Sequence, residues 1–142
     1  AKYFGEDPEG SYPESDRQQQ AYVQALHSSD TLSFDNLGSG TSTPLTLDFS
    51  LSEGRVIQAL ITGDAQVSTM HAGPARMTLQ TTSPSLFKIS FSEDVVALGF
   101  FAFDAFESSI LTLRLHHADG RETPMTVPTM YPGNAGDSSV FF

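Results

Sequence analysis

Apolar residues recur at every second position through most of this chain, which is the spacing of β-strands with one buried face. The clearest run is "LTLDFSL" at 45–51, whose leucine and phenylalanine side chains would all point to one side. Glycine, proline, serine and aspartate separate such runs every ~8–12 residues, which is typical of sandwiches and barrels. The alternation therefore predicts an all-β fold, an antiparallel jelly-roll-type β-sandwich with its strands in 31–142.

The most apolar stretch of the chain is "VVALGFFAFDA", which is interrupted by Gly99. A strand that is apolar on both faces belongs in the middle of a sheet, and its glycine marks a bulge or a close backbone approach. With "LFKISFS" before it and "ILTLRLHHA" after it, the segment from Lys88 to Met125 is expected to supply two or three central strands. Phe100 and Phe103 are accordingly expected in the core, and "ADGRET" is predicted to form a hairpin turn.

The N-terminal part of the chain follows a different pattern. Residues 1–14 are acidic and contain two prolines, so they are predicted to form a surface loop. A helix is predicted at 15–28, because Ser15 suits an N-cap with a glutamine three residues later, and apolar residues then recur at helical spacing. We therefore expect a single domain over 1–142, with one short helix preceding the strands.

Charge and cysteine content limit the function. The formal net charge of −10 opposes binding to nucleic acid or to an anionic membrane surface. The chain contains no cysteine, which excludes disulfides, thiolate catalysis and cysteine-ligated zinc. No apolar run approaches the ~20 residues that a membrane-spanning helix needs, so no membrane insertion of this chain is expected.

The sequence ends in "SSVFF", where Val140, Phe141 and Phe142 look like the start of a strand. A β-sandwich that stops there would leave a neighbouring edge unpaired, and an exposed apolar edge is a template for another chain. We therefore predict an incomplete C-terminal strand and self-assembly through edge strands as one alternative.

Several pieces, in their order along the chain, resemble the PEP-CTERM sorting-signal proteins, the exosortase-dependent exported proteins of Gram-negative bacteria. The matching pieces are the helix together with "YFGED", "FDNLGSGTSTPLTLDFS", "ITGDAQV", "FKISFSEDVVALGFFAFDA" and "LTLRLHHADGRETPMTVP". The sequence lacks the further strand pair and the C-terminal Pro-Glu-Pro signal with which that family usually continues.

The resemblance implies an exported β-sandwich from the cell envelope or the extracellular matrix, without an established catalytic role. The chain also begins at Ala1 without a methionine or an apolar leader, as a chain does after removal of a signal peptide. We therefore expect a secreted or cell-surface protein of a Gram-negative bacterium.

Acidic residues in predicted loops at the rim of the sandwich suggest calcium as a cofactor. Glu6 and Asp7 lie in "FGED", and Asp104 follows the most apolar strand. Calcium is held by carboxylate and carbonyl oxygens, and acidic loops at the rim of a jelly roll can supply them. Glu6, Asp7 and Asp104 are the predicted metal ligands, although a solvated acidic surface explains the same residues.

Three tyrosines lie in loops rich in proline or glycine, namely Tyr3, Tyr12 and Tyr131. Aromatic rings stack on sugars, so these residues are the predicted ligand-binding platform for an extracellular glycan or protein partner. Tryptophan, which sugar-binding faces often use, is absent.

Motifs for catalysis are missing from the sequence, so an enzyme is not expected. Glu93 and Asp94 form a carboxylate pair, as a glycan hydrolase requires, but they lie in a predicted turn. His116 and His117 are adjacent in a predicted strand and would point to opposite faces, so one metal ion would not contact both. The sequence also lacks the G-x-S-x-G nucleophile motif.

The expected function is non-enzymatic adhesion or glycan contact in the cell envelope or extracellular matrix. The first alternative is a subunit of an extracellular filament or surface assembly completed by strand addition between chains. A carboxylate-dependent glycan hydrolase is the second alternative.

Overall fold

The computed structural model describes residues 3–7, 12–69, 77–81, 87–103, 112–126 and 139–141, with the side chains of 102, 103, 139 and 140 left aside. All strand pairs are antiparallel, and one α-helix, α1 (Pro13–Gln24), accompanies them, so the predicted all-β class is confirmed. The strands are β1 (Gly5–Asp7), β2 (Leu45–Ser50), β3 (Val56–Gly63), β4 (Ala65–Ser68), β5 (Thr78–Thr81), β6 (Phe87–Phe91), β7 (Phe101–Phe103), β8 (Thr112–His116), β9 (Glu122–Thr126) and β10 (Ser139–Phe141).

The chain divides into two compact units, which are described separately. The terminal unit consists of residues 1–25 and 98–142, and the middle unit consists of residues 26–97. The single domain expected over 1–142 stays a prediction.

In the middle unit, β2, β3 and β6 form a sheet in that order. Residues directly opposite each other on antiparallel strands point to the same face. Leu45 is paired with Ile61, and Ile61 is paired with Ile89, so one apolar face runs across all three strands. The sheet therefore has one face that is more buried than the other, as the alternation of "LTLDFS" predicts.

The core of the middle unit is centred on three buried residues, Leu45, Ile61 and Val67. Val67 is only 1% exposed. It belongs to β4, which pairs with β5. The partly buried apolar side chains around this centre are Phe34, Leu37, Leu47, Met77 and Leu79. Burying such side chains contributes about 1.5–3 kcal/mol each, so this cluster is a main source of stability.

The segment "TLSFDNL" at 31–37, which opens the region where strands are predicted, contains a turn instead. Its Leu37 N–H donates to Phe34 O at 2.9 Å, and both side chains pack against the core. Phe34 and Leu37 are three residues apart, which is the spacing of a turn and not the period of two of a strand.

In the terminal unit, β10 lies between β1 and β7. The C-terminal residues Ser139–Phe141 therefore form a central strand of this sheet, paired on both sides, and the incomplete C-terminal strand stays a prediction. Phe141 is 2% exposed, and its ring lies 5.2 Å from that of Phe101 and 5.7 Å from that of Tyr22 on α1. This aromatic cluster joins the helix to the sheet.

The start of α1 differs from the prediction. The helix begins at Pro13 after the N-cap residue Tyr12, and Ser15 lies in its first turn, fully buried. The capping acceptor is the carboxylate of Asp7, which belongs to the preceding strand β1. Gly5–Asp7 is moreover a buried strand, so the surface loop predicted for 1–14 is wrong there.

The hairpin predicted at "ADGRET" is confirmed between β8 and β9. His117 N–H donates to Arg121 O, and Gly120 N–H donates to His117 O, both at 2.9 Å. Gly120 has φ of 83°, a left-handed conformation that glycine adopts without a Cβ clash.

The described residues between Lys88 and Met125 include none of the buried apolar residues, which lie in β2, β3, β4 and β10 instead. Within "VVALGFF", the strand β7 starts only at Phe101, while Val96 is fully exposed and Leu98 is 43% exposed. Phe100 is half-buried, and the side chain of Phe103 lies outside the described part. Hydrophobicity alone overestimated burial, because burial also requires facing strands to cover both sides.

Candidate functional site

The three predicted metal ligands are not brought together in the part of the chain that the structure describes. Asp7 is 2% exposed, and its two carboxylate oxygens accept hydrogen bonds from the backbone N–H groups of Glu14 at 3.0 Å and Ser15 at 2.7 Å. Glu6 is 8% exposed, and Asp104 lies outside the described residues. Those hydrogen bonds give both buried oxygens of the Asp7 side chain a partner.

Among the described residues, no group of three or more histidine, aspartate or glutamate side chains is arranged to hold a metal ion. The calcium site at Glu6, Asp7 and Asp104 stays a prediction, because one of its ligands is not among these residues.

The tyrosine platform is partly engaged in packing. The Tyr3 ring meets the Tyr22 ring edge to face, with centroids 5.6 Å apart, and burial raises the pKa of Tyr22. Tyr12 is half-buried at the N-cap of α1, and Tyr131 lies outside the described residues. Ligand binding by Tyr3, Tyr12 and Tyr131 therefore stays a prediction.

Of the histidine and carboxylate pairs singled out above, His116, His117 and Glu93 contact other side chains. His116 Nδ1 lies 3.1 Å from Glu122 Oε1, whereas His117 Nε2 lies 2.8 Å from Thr123 Oγ1. The exposed Glu93 carboxylate forms an ion pair with Arg55 at 2.6 Å. These contacts are those of ordinary surface side chains.

A small polar cavity of about 230 Å³ lies in the middle unit, where β3 turns into β4 beside β5. Its lining residues are Ser42, Thr43, Gly63, Asp64, Ala65, Gln66 and Gln80. Most of these residues carry a hydroxyl, an amide or a carboxylate, so the cavity offers hydrogen-bond donors and acceptors side by side.

The strand register places three of the polar lining residues in one row. Gln66 on β4 is directly opposite Gln80 on β5, and an isolated antiparallel bridge places Ser42 opposite Gln66 on its other side. Residues opposite each other share a face, so Ser42, Gln66 and Gln80 form a polar row. The next residue of β4, Val67, points to the other face and is buried.

Hydrogen bonds from the 41–43 segment fix the frame of this cavity. Thr43 N–H donates to Ala65 O at 3.0 Å, and Thr43 Oγ1 lies 2.5 Å from Gly63 O. Val67 N–H donates to Thr41 O at 2.8 Å. The loop is thereby held against β4 as a further strand-like segment, which preorganises the polar row.

The described lining of this cavity offers hydrogen-bonding groups. A glutamine amide offers two donors and an acceptor, and a carboxylate such as that of Asp64 offers acceptors. The cavity's described lining residues include neither lysine nor arginine.

Sequence reasoning missed Ser42, Asp64, Gln66 and Gln80. The available signal was that Gln66 and Gln80 occupy the polar positions of the alternating "AQVS" and "TLQT". That pattern indicates an exposed face, but it does not reveal that the two strands are neighbours in register.

Within the described part of the chain, no helix combines the length and apolar character needed to cross a bilayer. No family model matches the chain, and no curated protein or solved structure is significantly similar to it.

Proposed function

We propose that this chain is a non-enzymatic, exported protein of the cell envelope or extracellular matrix that contacts glycans. The observation that supports this proposal best is the polar cavity lined by Ser42, Asp64, Gln66 and Gln80. Sugars present several neighbouring hydroxyl groups, each a donor and an acceptor, and glutamine and aspartate side chains complement them.

The size of the cavity and the net charge of the chain favour one sugar unit of a neutral glycan as the ligand. At about 230 Å³, it is smaller than the ~300–1,000 Å³ of pockets for drug-sized ligands. The net charge of −10 disfavours anionic polysaccharides, because the whole chain repels them at low ionic strength.

A binding role fits this cavity better than glycan hydrolysis. Glycosidases place two carboxyl groups about 5–10 Å apart across the scissile bond. Among the lining residues that the structure describes, only Asp64 carries a carboxylate. The proposal is therefore recognition without turnover.

A jelly-roll-type β-sandwich and export by the PEP-CTERM route belong to the same proposal. The sheet β2–β3–β6 supports the sandwich, since its apolar face requires a second layer to exclude water. The ordered resemblance of "FDNLGSGTSTPLTLDFS" and "LTLRLHHADGRETPMTVP" to that family supports export to the envelope.

Binding to a panel of neutral oligosaccharides tests this function. A glycan array identifies the oligosaccharides that bind, and calorimetry with one of them measures the affinity. Gln66→Ala and Gln80→Ala each remove hydrogen bonds worth about 0.5–1.5 kcal/mol, so each is expected to weaken affinity about 2- to 13-fold. Gln58→Ala is the matched control, because Gln58 is an exposed strand glutamine that does not line the cavity.

Tyr3→Ala separates the two candidate glycan sites. Loss of binding in Tyr3→Ala with full binding in both cavity variants would transfer the function to the tyrosine platform. If the unaltered chain binds no neutral glycan on the array, the proposal is overturned.

A further inference from the structure

The strand β6 forms one edge of the sheet β2–β3–β6. It pairs with β3, and no other described strand pairs with it. Its apolar side chains are unusually open to solvent for a strand, with Phe87 43% exposed and Ile89 37% exposed. An apolar edge of this kind presents unpaired backbone groups to another strand.

The exposed side chains continue a buried surface. Ile89 lies opposite Ile61, which is 2% exposed, and Phe91 lies opposite Ala59, which is also 2% exposed. Paired residues share a face, so the apolar side of β6 extends the face that β3 buries. The opposite side of β6 carries Lys88 and is polar.

The sequence of β6, "FKISF", is symmetric about Ile89 in its pattern of apolar and polar residues. Antiparallel pairing with a second β6, centred on Ile89, would place Phe87 opposite Phe91, Lys88 opposite Ser90, and Ile89 opposite its own copy. Every apolar residue then meets an apolar residue, and no charge meets a like charge directly.

Other registers are worse. A shift of the centre by one full residue places Lys88 opposite Lys88, or Ser90 opposite Ser90, and pairs fewer residues of the strand. A shift of the centre by half a residue places apolar residues opposite polar ones, which turns one strand's apolar side to the wrong face. The register centred on Ile89 is thus the one in which all five residues pair.

We propose that a second copy of this chain docks on β6, by antiparallel pairing of the two β6 strands about a two-fold axis at Ile89. A two-fold axis requires a self-complementary surface, and the pattern of "FKISF" supplies one. The pairing joins three strands from each copy into one continuous sheet and makes its apolar face continuous as well. This inference does not depend on glycan binding.

Charge sets the expected response to salt. Each copy carries a net charge of −10, so the two copies repel each other at low ionic strength. Salt screens that repulsion, and the association is therefore expected to strengthen as the salt concentration rises from about 0.01 M to 0.15 M.

Sedimentation equilibrium of the 142-residue chain across micromolar to submillimolar concentrations tests the dimer. Ile89→Thr is expected to weaken association by at least about tenfold, because the change occurs twice in a two-fold interface. Val56→Thr is the matched control, since Val56 is 48% exposed on β3 in the same sheet, away from β6. A strictly monomeric chain at all concentrations would overturn the proposal.

A single-cysteine variant tests the register separately. The chain has no cysteine, so Ile89→Cys introduces one thiol per copy. Directly opposite residues of antiparallel strands have Cα atoms about 4.5–5.5 Å apart, within the range that a disulfide spans. Mild oxidation should therefore yield a disulfide-linked dimer of Ile89→Cys, and much less of one for the control Val56→Cys. Equal cross-linking of the two variants, or a dimer that Ile89→Thr leaves intact, would refute pairing through β6.

Discussion

The Asp7 side chain accepts a hydrogen bond from the backbone N–H of Ser15 at 2.7 Å, from the end of β1 to the first turn of α1. Its other carboxylate oxygen accepts from the N–H of Glu14 at 3.0 Å. The first N–H groups of a helix have no partner within it, and a negative charge there also complements the helix dipole. One buried carboxylate therefore caps the helix and fastens it to the sheet.

Replacement of Asp7 by alanine is expected to lower the free energy of unfolding by about 1–3 kcal/mol, because two backbone N–H groups lose a charged acceptor. Urea unfolding followed by circular dichroism measures this. Asp16→Ala is the control, since Asp16 is an exposed carboxylate in the same first turn. Equal losses in the two variants would show that general charge near the helix start, and not the cap, is responsible.

Gly5→Ala is expected to be strongly destabilising. A Cβ on Gly5 would lie 2.4 Å from Glu14 O and 2.7 Å from Glu14 C, both backbone atoms that move only with the helix. Overpacking of this kind costs typically 1–3 kcal/mol, and we expect a loss of about 2 kcal/mol or more. In Gly38→Ala the nearest atom is Thr41 Oγ1 at 3.7 Å, an ordinary contact, so its midpoint in urea should barely change. A similar midpoint for both variants would contradict the close approach.

Two adjacent residues of β3 are expected to respond very differently to truncation. Ile61 is 2% exposed in the core of the middle unit, so Ile61→Ala should cost about 2–5 kcal/mol through lost burial and a residual cavity. Leu60 is 42% exposed on the other face, so Leu60→Ala should cost much less. Thermal unfolding of the pair measures this difference, and comparable losses would mean that both faces of β3 are covered.

The pKa of Asp119, in the turn of the β8–β9 hairpin, is expected to lie below its ordinary value. The backbone N–H of Arg121 donates to Asp119 at 3.0 Å, and the Arg121 side chain donates to it at 2.6 Å; together they lower the pKa of Asp119. A carboxyl whose pKa is lowered by folding adds stability above its unfolded pKa, about 3.9, and loses that contribution as the pH falls through the folded pKa.

Carboxyl carbon NMR titration of Asp119 checks this expectation. In Arg121→Gln the backbone donor stays and the guanidinium is lost, so the pKa of Asp119 should rise partway toward its ordinary value. An ordinary pKa in the unaltered chain would show that the turn does not hold these hydrogen bonds in solution.

Local features of the fold were readable from the sequence. The strict alternation of "LTLDFS" predicted β2, and "ADGRET" predicted the turn at Gly120. These features depend on side chains and dihedral preferences within a few residues, which a sequence displays directly.

Tertiary structure alone decided which strands are central and which polar residues meet. It placed β10 between β1 and β7, used Asp7 to cap a helix, and brought Gln66 beside Gln80. It also left Val96 exposed, although its sequence neighbours are apolar. Strand order, helix capping from a neighbouring strand and burial all arise from contacts between separate elements of the fold, and the free energy of those contacts is not encoded in any one local pattern.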